Sequence, residues 1–148
     1  MTTARKIMVV GLLVTAALPA HAAGKLFTPP AGCEAYLTVQ SRGCRVSNHY
    51  TCSADNPGDK WRADFDQEGI FFLSKVDDEA QWIESIDQFP TVIQKLDPNP
   101  KDPASFSNLL TGEDTFDFTI SRDDGTASHV TGFDRLTGKS FVIDGVNL

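Results

Sequence analysis

The sequence predicts a mainly β protein: an antiparallel meander, forming a curved sheet or an open half-barrel, with one or two short helices. Apolar and polar residues alternate with a period of two through most of the chain after residue 32, as in half-buried strands. Turn-forming residues separate these segments at short intervals. The 148 residues are 41% hydrophobic and 22% charged, which is a globular composition. These observations favour one folded domain.

The first 22 residues have the pattern of a signal peptide. Arg5 and Lys6 precede an apolar stretch over residues 7–18, and Ala20 and Ala22 are small residues where signal peptidase cleaves. Cleavage after Ala22 leaves a single β-rich domain over residues 23–148, periplasmic or secreted. The apolar stretch is too short to span a bilayer, so no transmembrane anchor is expected after cleavage.

Removal of this segment makes the protein more acidic. It takes away two of the 13 basic residues and none of the 20 acidic ones, so the net charge changes from −7 to −9. A chain of this charge lacks the basic surface that nucleic-acid binding requires, and no nucleic-acid partner is expected.

Residues 33–40 and 44–52 form the first predicted hairpin, with a two-residue turn at Arg42 and Gly43. This register pairs positions that sum to 85, so Val39 faces Val46, Leu37 faces Asn48 and Cys33 faces Cys52. Directly opposed strand residues are close enough for a disulfide. We therefore predict a Cys33–Cys52 bridge.

Cys44 is then left as a free thiol. The alternation places it on the core-facing side of the hairpin, where it would act as a small buried hydrophobic residue. Intermolecular pairing or redox chemistry is the alternative. The chain has no Cys-x-x-Cys motif, which weakens the redox interpretation.

Alternation continues in later segments, each bounded by turn residues. The predicted strands cover residues 61–65, 70–76, 81–85, 116–120, 127–133 and 139–144.

Two short helices are considered between these strands. Asp102 and Pro103 fit a helix N-cap and first helical position, followed by a helix over residues 104–110 that Gly112 closes. A second helical turn is considered over residues 89–96. At the end of the chain, Asp144-Gly145 opens a hairpin with only three residues after it, which predicts a truncated C terminus or a short last strand.

No catalytic, metal or cofactor motif emerges. Cleavage leaves two histidines, His49 and His129, and the chain has no Gly-x-Ser-x-Gly or dinucleotide-binding motif. Residues 64–69 begin like a calcium loop, but Lys75 occupies the position of the bidentate glutamate. A polar turn is the better interpretation, and no metal or cofactor is predicted.

Aromatic residues provide the remaining indication of function. Residues 70–73 are apolar on both faces of their strand, which is typical of a buried strand or of one that lines a cavity. Core packing is the simpler explanation. For an apolar ligand, the candidate lining residues are Phe71, Leu73, Trp82 and Phe118.

Two resemblances accompany these residues. The segments 33–52 and 60–65 resemble small exported proteins of uncharacterised function in Gram-negative bacteria, a likeness that implies no activity. The arrangement of a signal peptide, an aromatic-rich meander and short helices is similar to envelope proteins with lipid-handling half-barrels of the LolA/LolB type. No family-specific motif is present, so no residue role is transferred.

The leading hypothesis is an exported, non-catalytic binding protein of the bacterial envelope, with an apolar ligand such as a lipid, or an envelope protein, as its partner. One alternative is a periplasmic enzyme that uses acidic residues and His49 or His129. A third hypothesis is a structural or inhibitory envelope protein.

Overall fold

A computed structural model describes residues 27–147, so the predicted signal peptide over residues 1–22 lies outside the described part. Eight antiparallel strands form one sheet in which each strand pairs with the next along the chain, and the sheet is not closed into a barrel. The predicted meander is confirmed. The elements are β1 (Cys33–Ser41), β2 (Arg45–Cys52), β3 (Lys60–Phe65), β4 (Ile70–Val76), β5 (Trp82–Gln88), β6 (Thr91–Leu96), α1 (Phe106–Leu109), β7 (Glu113–Arg122), β8 (Ala127–Arg135), β9 (Val142–Ile143) and β10 (Val146–Asn147).

The β1–β2 hairpin follows the predicted register at only one end. Cys33 faces Cys52, and the two form a disulfide, as predicted. A bulge at Tyr36 then shifts the pairing by one residue, so Leu37 faces His49 and Val39 faces Ser47. The shift arises because the turn contains three residues, 42–44, and the extra turn residue has to be absorbed by a bulge.

This longer turn also changes the position of Cys44. It adopts a positive φ of 59° in the turn and its thiol is free and exposed. The expectation that Cys44 is buried on the core-facing side is therefore wrong.

The register divides the sheet into two faces. The front face carries residues that stand opposite one another across β2 to β6: Asn48, Ala63, Leu73, Ile86 and Ile93. The back face carries Ser74, Ser85, Gln94, Arg122, Phe118 and Val130.

Little apolar surface is fully covered on either face. Among the described residues, the buried hydrophobic side chains are Tyr50, Ala63 and Phe118. A single sheet without a second layer leaves apolar side chains accessible. The molecule therefore has surface that a ligand or partner is able to cover.

The helix predictions need two corrections. Residues 89–96 do not form a helical turn: Phe89 and Pro90 make a turn, and β6 follows because the β-branched Thr91, Val92 and Ile93 pair with β5. The remaining helix, α1, is a single turn whose N-cap is Ser105, not Asp102. Asp102 instead forms a backbone bridge with Asp117 of β7.

The connection between β6 and β7 is fastened to the β4–β5 turn. Gln81 is 1% exposed, accepts a 2.6 Å hydrogen bond from the Ala104 amide at Oε1, and donates from Nε2 to the Trp82 carbonyl. The Glu79 carboxylate accepts bonds from Ser105 and Ser107. These bonds provide acceptors for the backbone amides at the start of α1, and they hold the β6–β7 connection against the β4–β5 turn.

The chain ends in a separate two-stranded ribbon, β9 and β10. Asp144 and Gly145 both have positive φ, as a tight two-residue hairpin turn requires. The strand predicted over residues 139–144 is thus reduced to Val142–Ile143, and the short last strand is present. No helix among residues 27–147 is long and apolar enough to cross a membrane.

Candidate ligand-binding cleft

A cleft of about 850 Å³ opens on the front face near the β1–β2 and β3–β4 turns. It is open to solvent, and most of its surface is apolar. Its walls are formed by strands β1, β2 and β3 and by the segment that precedes β1. The lining residues are Phe27, Thr28, Ala35, Thr38, Val46, Asn48, Phe65, Asp66, Gln67, Glu68 and Gly69.

A row of aromatic rings supports one wall of the cleft, and two of these rings, Phe27 and Phe65, line it. The Phe27 ring lies 5.6 Å from Tyr50 and 5.7 Å from Phe65, measured between ring centroids. Tyr50 stacks in turn on Trp61 at 6.2 Å, with nearly parallel planes. Contacts at these distances stabilise aromatic pairs beyond the area they bury. Phe27 is thereby held over the sheet and shapes the cleft.

One polar side chain is buried in this apolar lining. Asn48 is 5% exposed, and its Oδ1 accepts a 2.8 Å hydrogen bond from Thr38 Oγ1. Its Nδ2 group has no hydrogen-bond acceptor among the described residues. Within the described residues, the fully buried side-chain polar atom that lacks a partner is Asp64 Oδ1, so Asn48 Nδ2 is accessible from the cleft. It is able to donate to a ligand that brings an acceptor oxygen.

The rim of the cleft is acidic. Asp66 Oδ1 accepts bonds from the Glu68 and Gly69 amides at 2.8 and 3.2 Å, which shapes the β3–β4 turn. This is the segment whose first residues resemble a calcium loop. Glu68 and Gln67 are exposed beside it. The rim therefore disfavours anionic ligands.

An ion cluster supports the aromatic wall from the adjacent strands. Lys75 Nζ lies 2.7 Å from Asp55 Oδ1 and 2.8 Å from Asp59 Oδ2. Trp61 Nε1 donates to Asp55 Oδ2 at 2.8 Å, and the Lys75 ammonium lies 5.6 Å from the Trp61 ring centroid. The cluster fixes the indole on which Tyr50 stacks.

The same contacts shift the pKa values in this cluster. The hydrogen bond from Lys75 is the main reason that the pKa of Asp55 is lowered. Burial alone lowers the pKa of Lys75, but its bonds to Asp55 and Asp59 outweigh this effect and raise it. Both groups are held in their charged forms.

The four lining residues predicted from the sequence are not brought together. Leu73 lies on the front face between Ala63 and Ile86. Phe118 lies on the back face opposite Val130. None of the four lines the cleft.

The other two predicted lining residues lie beside strand irregularities. Trp82 stands opposite Val76, next to a bulge between β4 and β5. Phe71 lies at a bulge between β3 and β4, with the Arg45 guanidinium 5.2 Å from its ring centroid.

Sequence reasoning missed the cleft residues for identifiable reasons. Phe65 and Val46 were in predicted strands, and an alternating pattern does not distinguish a core residue from one that lines a cleft. Phe27 lies outside every predicted strand, so no periodic signal marks it. One signal of the cleft was present in the sequence. Asn48 lies between Val46 and Tyr50 on the same face of its strand, so a polar side chain interrupts an apolar row.

The histidines occupy different environments. His129 Nε2 lies 2.6 Å from Asp117 Oδ1, and Lys101 bonds the other oxygen of the same carboxylate. Bonds from Lys101 and then His129 lower the pKa of Asp117. Burial and the nearby Arg62 lower the pKa of His49. Among the described residues, no serine, threonine or cysteine is hydrogen-bonded to either imidazole, so neither forms a nucleophile–base pair here.

Comparison of the chain with protein-family models, with curated proteins and with solved structures found no match. The function of the chain is therefore inferred from its geometry. Its strongest feature is the apolar cleft with one accessible amide donor and an acidic rim.

Proposed function

We propose that the chain is an exported, non-catalytic binding protein whose site is the front-face cleft. Its ligand is a neutral amphiphile with an apolar body and a carbonyl or ether oxygen. The cleft itself is the observation that carries this proposal, because it combines an apolar lining with one amide donor, Asn48 Nδ2, that faces no acceptor among the described residues.

The apolar body of the ligand packs against Phe27, Val46 and Phe65. Removal of apolar surface from water gives about 25 cal/mol for each Å² buried, so even a partly covered alkyl chain contributes useful affinity. The acceptor oxygen points toward Asn48 Nδ2. The rim carboxylates of Asp66 and Glu68 disfavour a free fatty acid, whose head is anionic.

Export is part of the proposal and follows from the signal-peptide pattern of residues 1–22. The Cys33–Cys52 disulfide supports it, because disulfides persist in oxidising compartments such as the periplasm. The envelope also supplies the class of ligand that the cleft favours.

A fluorescence titration tests the proposal. The purified chain is titrated with the neutral apolar probe N-phenyl-1-naphthylamine, and bound probe is then displaced with monolaurin or with laurate. We expect probe binding, displacement by monolaurin, and weaker displacement by laurate because of the acidic rim.

A matched pair of variants locates the site. Ala35→Trp fills the cleft from β1 and is expected to abolish probe binding. Ala127→Trp makes the same substitution at an exposed alanine on the opposite edge strand and is expected to leave binding unchanged. Equal binding by both variants, or no binding by the native chain, contradicts the proposal.

A second candidate function is acid–base catalysis at the Asp117–His129 pair. The carboxylate orients the imidazole, as in many hydrolytic sites, although the pair lies at an exposed position on β7 and β8. A screen with ester and phosphoester substrates tests it. Turnover by the native chain that His129→Gln abolishes supports catalysis, and unchanged turnover in that variant rejects this pair as the site.

A further inference from the structure

The two edges of the sheet differ in how they are protected. At one edge, β8 carries an Arg135–Glu113 ion pair, and the Arg135 guanidinium lies over the exposed Phe133 ring. At the other edge, β1 contains one charged residue, Glu34, in nine. Natural proteins usually place charges on edge strands to prevent pairing with another chain. Within residues 27–147, β1 is the less protected edge.

The exposed side chains of β1 add an apolar stripe to this edge. Tyr36, Leu37 and Val39 are 52%, 48% and 40% exposed. Leu37 and Val39 both stand on the back face, opposite His49 and Ser47. The outer backbone groups of the strand are thus flanked by apolar surface that pairing would cover.

We propose that β1 is a self-association edge, at which two copies of the chain pair antiparallel and extend the two sheets into one. The regular stretch beyond the bulge, residues 37–41, pairs with itself and places Val39 on the two-fold axis. Leu37 then lies diagonally next to Val39 of the second copy, and the two apolar stripes merge on the back face.

The charges identify a second copy as the occupant. Glu34 lies near one end of β1, and Arg42 follows its other end. Antiparallel pairing about a two-fold axis brings the Glu34 end of each copy beside the Arg42 turn of the other, so the opposite charges meet twice. The interface is self-complementary, as a two-fold interface must be.

One consequence rests on the proposed function. Thr38 lines the cleft and lies next to Val39, so the axis would place the two clefts on the same face, one on each side of it. Molecular mass and probe binding are measured separately. If the dimer is lost and probe binding is retained, the proposed function stands. If probe binding is absent and the dimer forms, the proposal of self-association stands.

Sedimentation velocity tests the dimer over a range of protein concentrations. The chain is studied with Cys44→Ser in every sample, so that the exposed thiol cannot form a covalent dimer. We expect a reversible dimer. Val39→Lys puts two ammonium groups opposite each other on the axis and is expected to raise the dissociation constant by about 100-fold or more.

Val142→Lys is the matched control, because Val142 is 70% exposed on the C-terminal ribbon and lies outside the proposed interface. It is expected to leave the dimer unchanged. Circular dichroism checks that each variant remains folded.

Charge reversal tests the orientation of the two copies. Glu34→Arg or Arg42→Glu alone is expected to weaken the dimer about fivefold at low salt, and the two together to restore it. A monomer at all concentrations overturns the proposal. A dimer that Val142→Lys dissociates and Val39→Lys does not also overturns it, as does a double reversal that fails to restore association.

Discussion

Lys75 holds two carboxylates, Asp55 and Asp59, under the aromatic wall of the cleft. Asp59 is 5% exposed, so its charge has little access to water and depends on the ammonium group. Removal of one partner from a buried ion pair leaves an uncompensated charge, which costs more than the pair itself contributes. The cluster is therefore a point where a single substitution affects the cleft.

Lys75→Met is expected to lower the free energy of unfolding by about 2–3 kcal/mol, because it leaves Asp59 buried without its cation. Urea denaturation measures this change. Lys95→Met is the control, since Lys95 is 65% exposed in its pair with Glu84. Its expected cost is about 0.5 kcal/mol or less. Equal costs for the two variants would contradict this account of the cluster.

The cluster also predicts how stability depends on acidity. The pKa of Asp55 is lowered in the folded state, so its contribution is present above the unfolded pKa, near 3.8, and is lost as the pH falls through the folded pKa. The pKa of Lys75 is raised, so its contribution is complete below 10.5 and is lost at higher pH.

Asp55→Asn removes the carboxylate whose protonation at low pH lowers the stability of the folded state. We expect its stability to fall less steeply than that of the native chain between about pH 4 and pH 2. Thermal unfolding at a series of pH values measures this slope. If stability falls equally steeply with decreasing pH in the two chains, Asp55 is not held in its charged form by Lys75.

At the residue scale, the sequence predicted the disulfide but not the cleft. Cys33 and Cys52 follow from alternation on two neighbouring strands, which is a local pattern. Phe27 reaches Tyr50 and Phe65 across the fold, and no local pattern reports such contacts. The exposure of Cys44 was missed because the turn has one more residue than its sequence indicates.

At the scale of elements, β7 and β8 pack through an unusual contact between a ring and a glycine. A Cβ atom at Gly132 would lie 2.5 Å from the Phe116 ring, which is too close for any real contact. Phe116 stands directly opposite Gly132 and near Phe118, at 5.9 Å between ring centroids. Glycine at this position allows the ring to lie across β8.

Gly132→Ala is expected to destabilise the protein by about 1–3 kcal/mol, because the Phe116 ring has to move. In a Phe116→Leu background the same substitution is expected to be neutral or stabilising, since glycine itself is unfavourable inside a strand. Urea denaturation of the four chains measures the coupling. Strict additivity of the two substitutions would contradict the contact.

The elements show where sequence patterns are sufficient. The alternating segments predicted seven of the eight strands of the sheet, all except β6, and their order follows because each strand pairs with its neighbour along the chain. Residues 89–96 were predicted as a helical turn because short apolar segments are compatible with either a helix or a strand. Pairing with β5 and β7 stabilises the strand β6. The bulges followed from contacts between strands and could not be read from one segment.

For the whole molecule, the single sheet layer is the decisive property. Apolar side chains that a second layer would cover remain available on both faces, and the edge strand β1 borders the cleft. The disulfide ties β1 to β2 at one end of this edge. The stability of the cleft therefore depends on this covalent link.

Cys33→Ser with Cys52→Ser is expected to lower the free energy of unfolding by about 2–4 kcal/mol. Hydrogen exchange is expected to show the largest loss of protection in β1 and little change in β7. Loss of N-phenyl-1-naphthylamine binding should accompany it, because Ala35 and Thr38 lie on β1. Uniform loss of protection across the sheet would contradict a local role for the bridge.

Ligand binding in the cleft is tested best by an NMR titration of isotope-labelled protein with monolaurin. If the cleft is the site, we expect intermolecular contacts from the alkyl chain to Phe27, Val46 and Phe65, with a shift of the Asn48 side-chain amide signals on binding. Contacts to Leu73 or Phe118 without these, or an unchanged spectrum at saturating monolaurin, would contradict it.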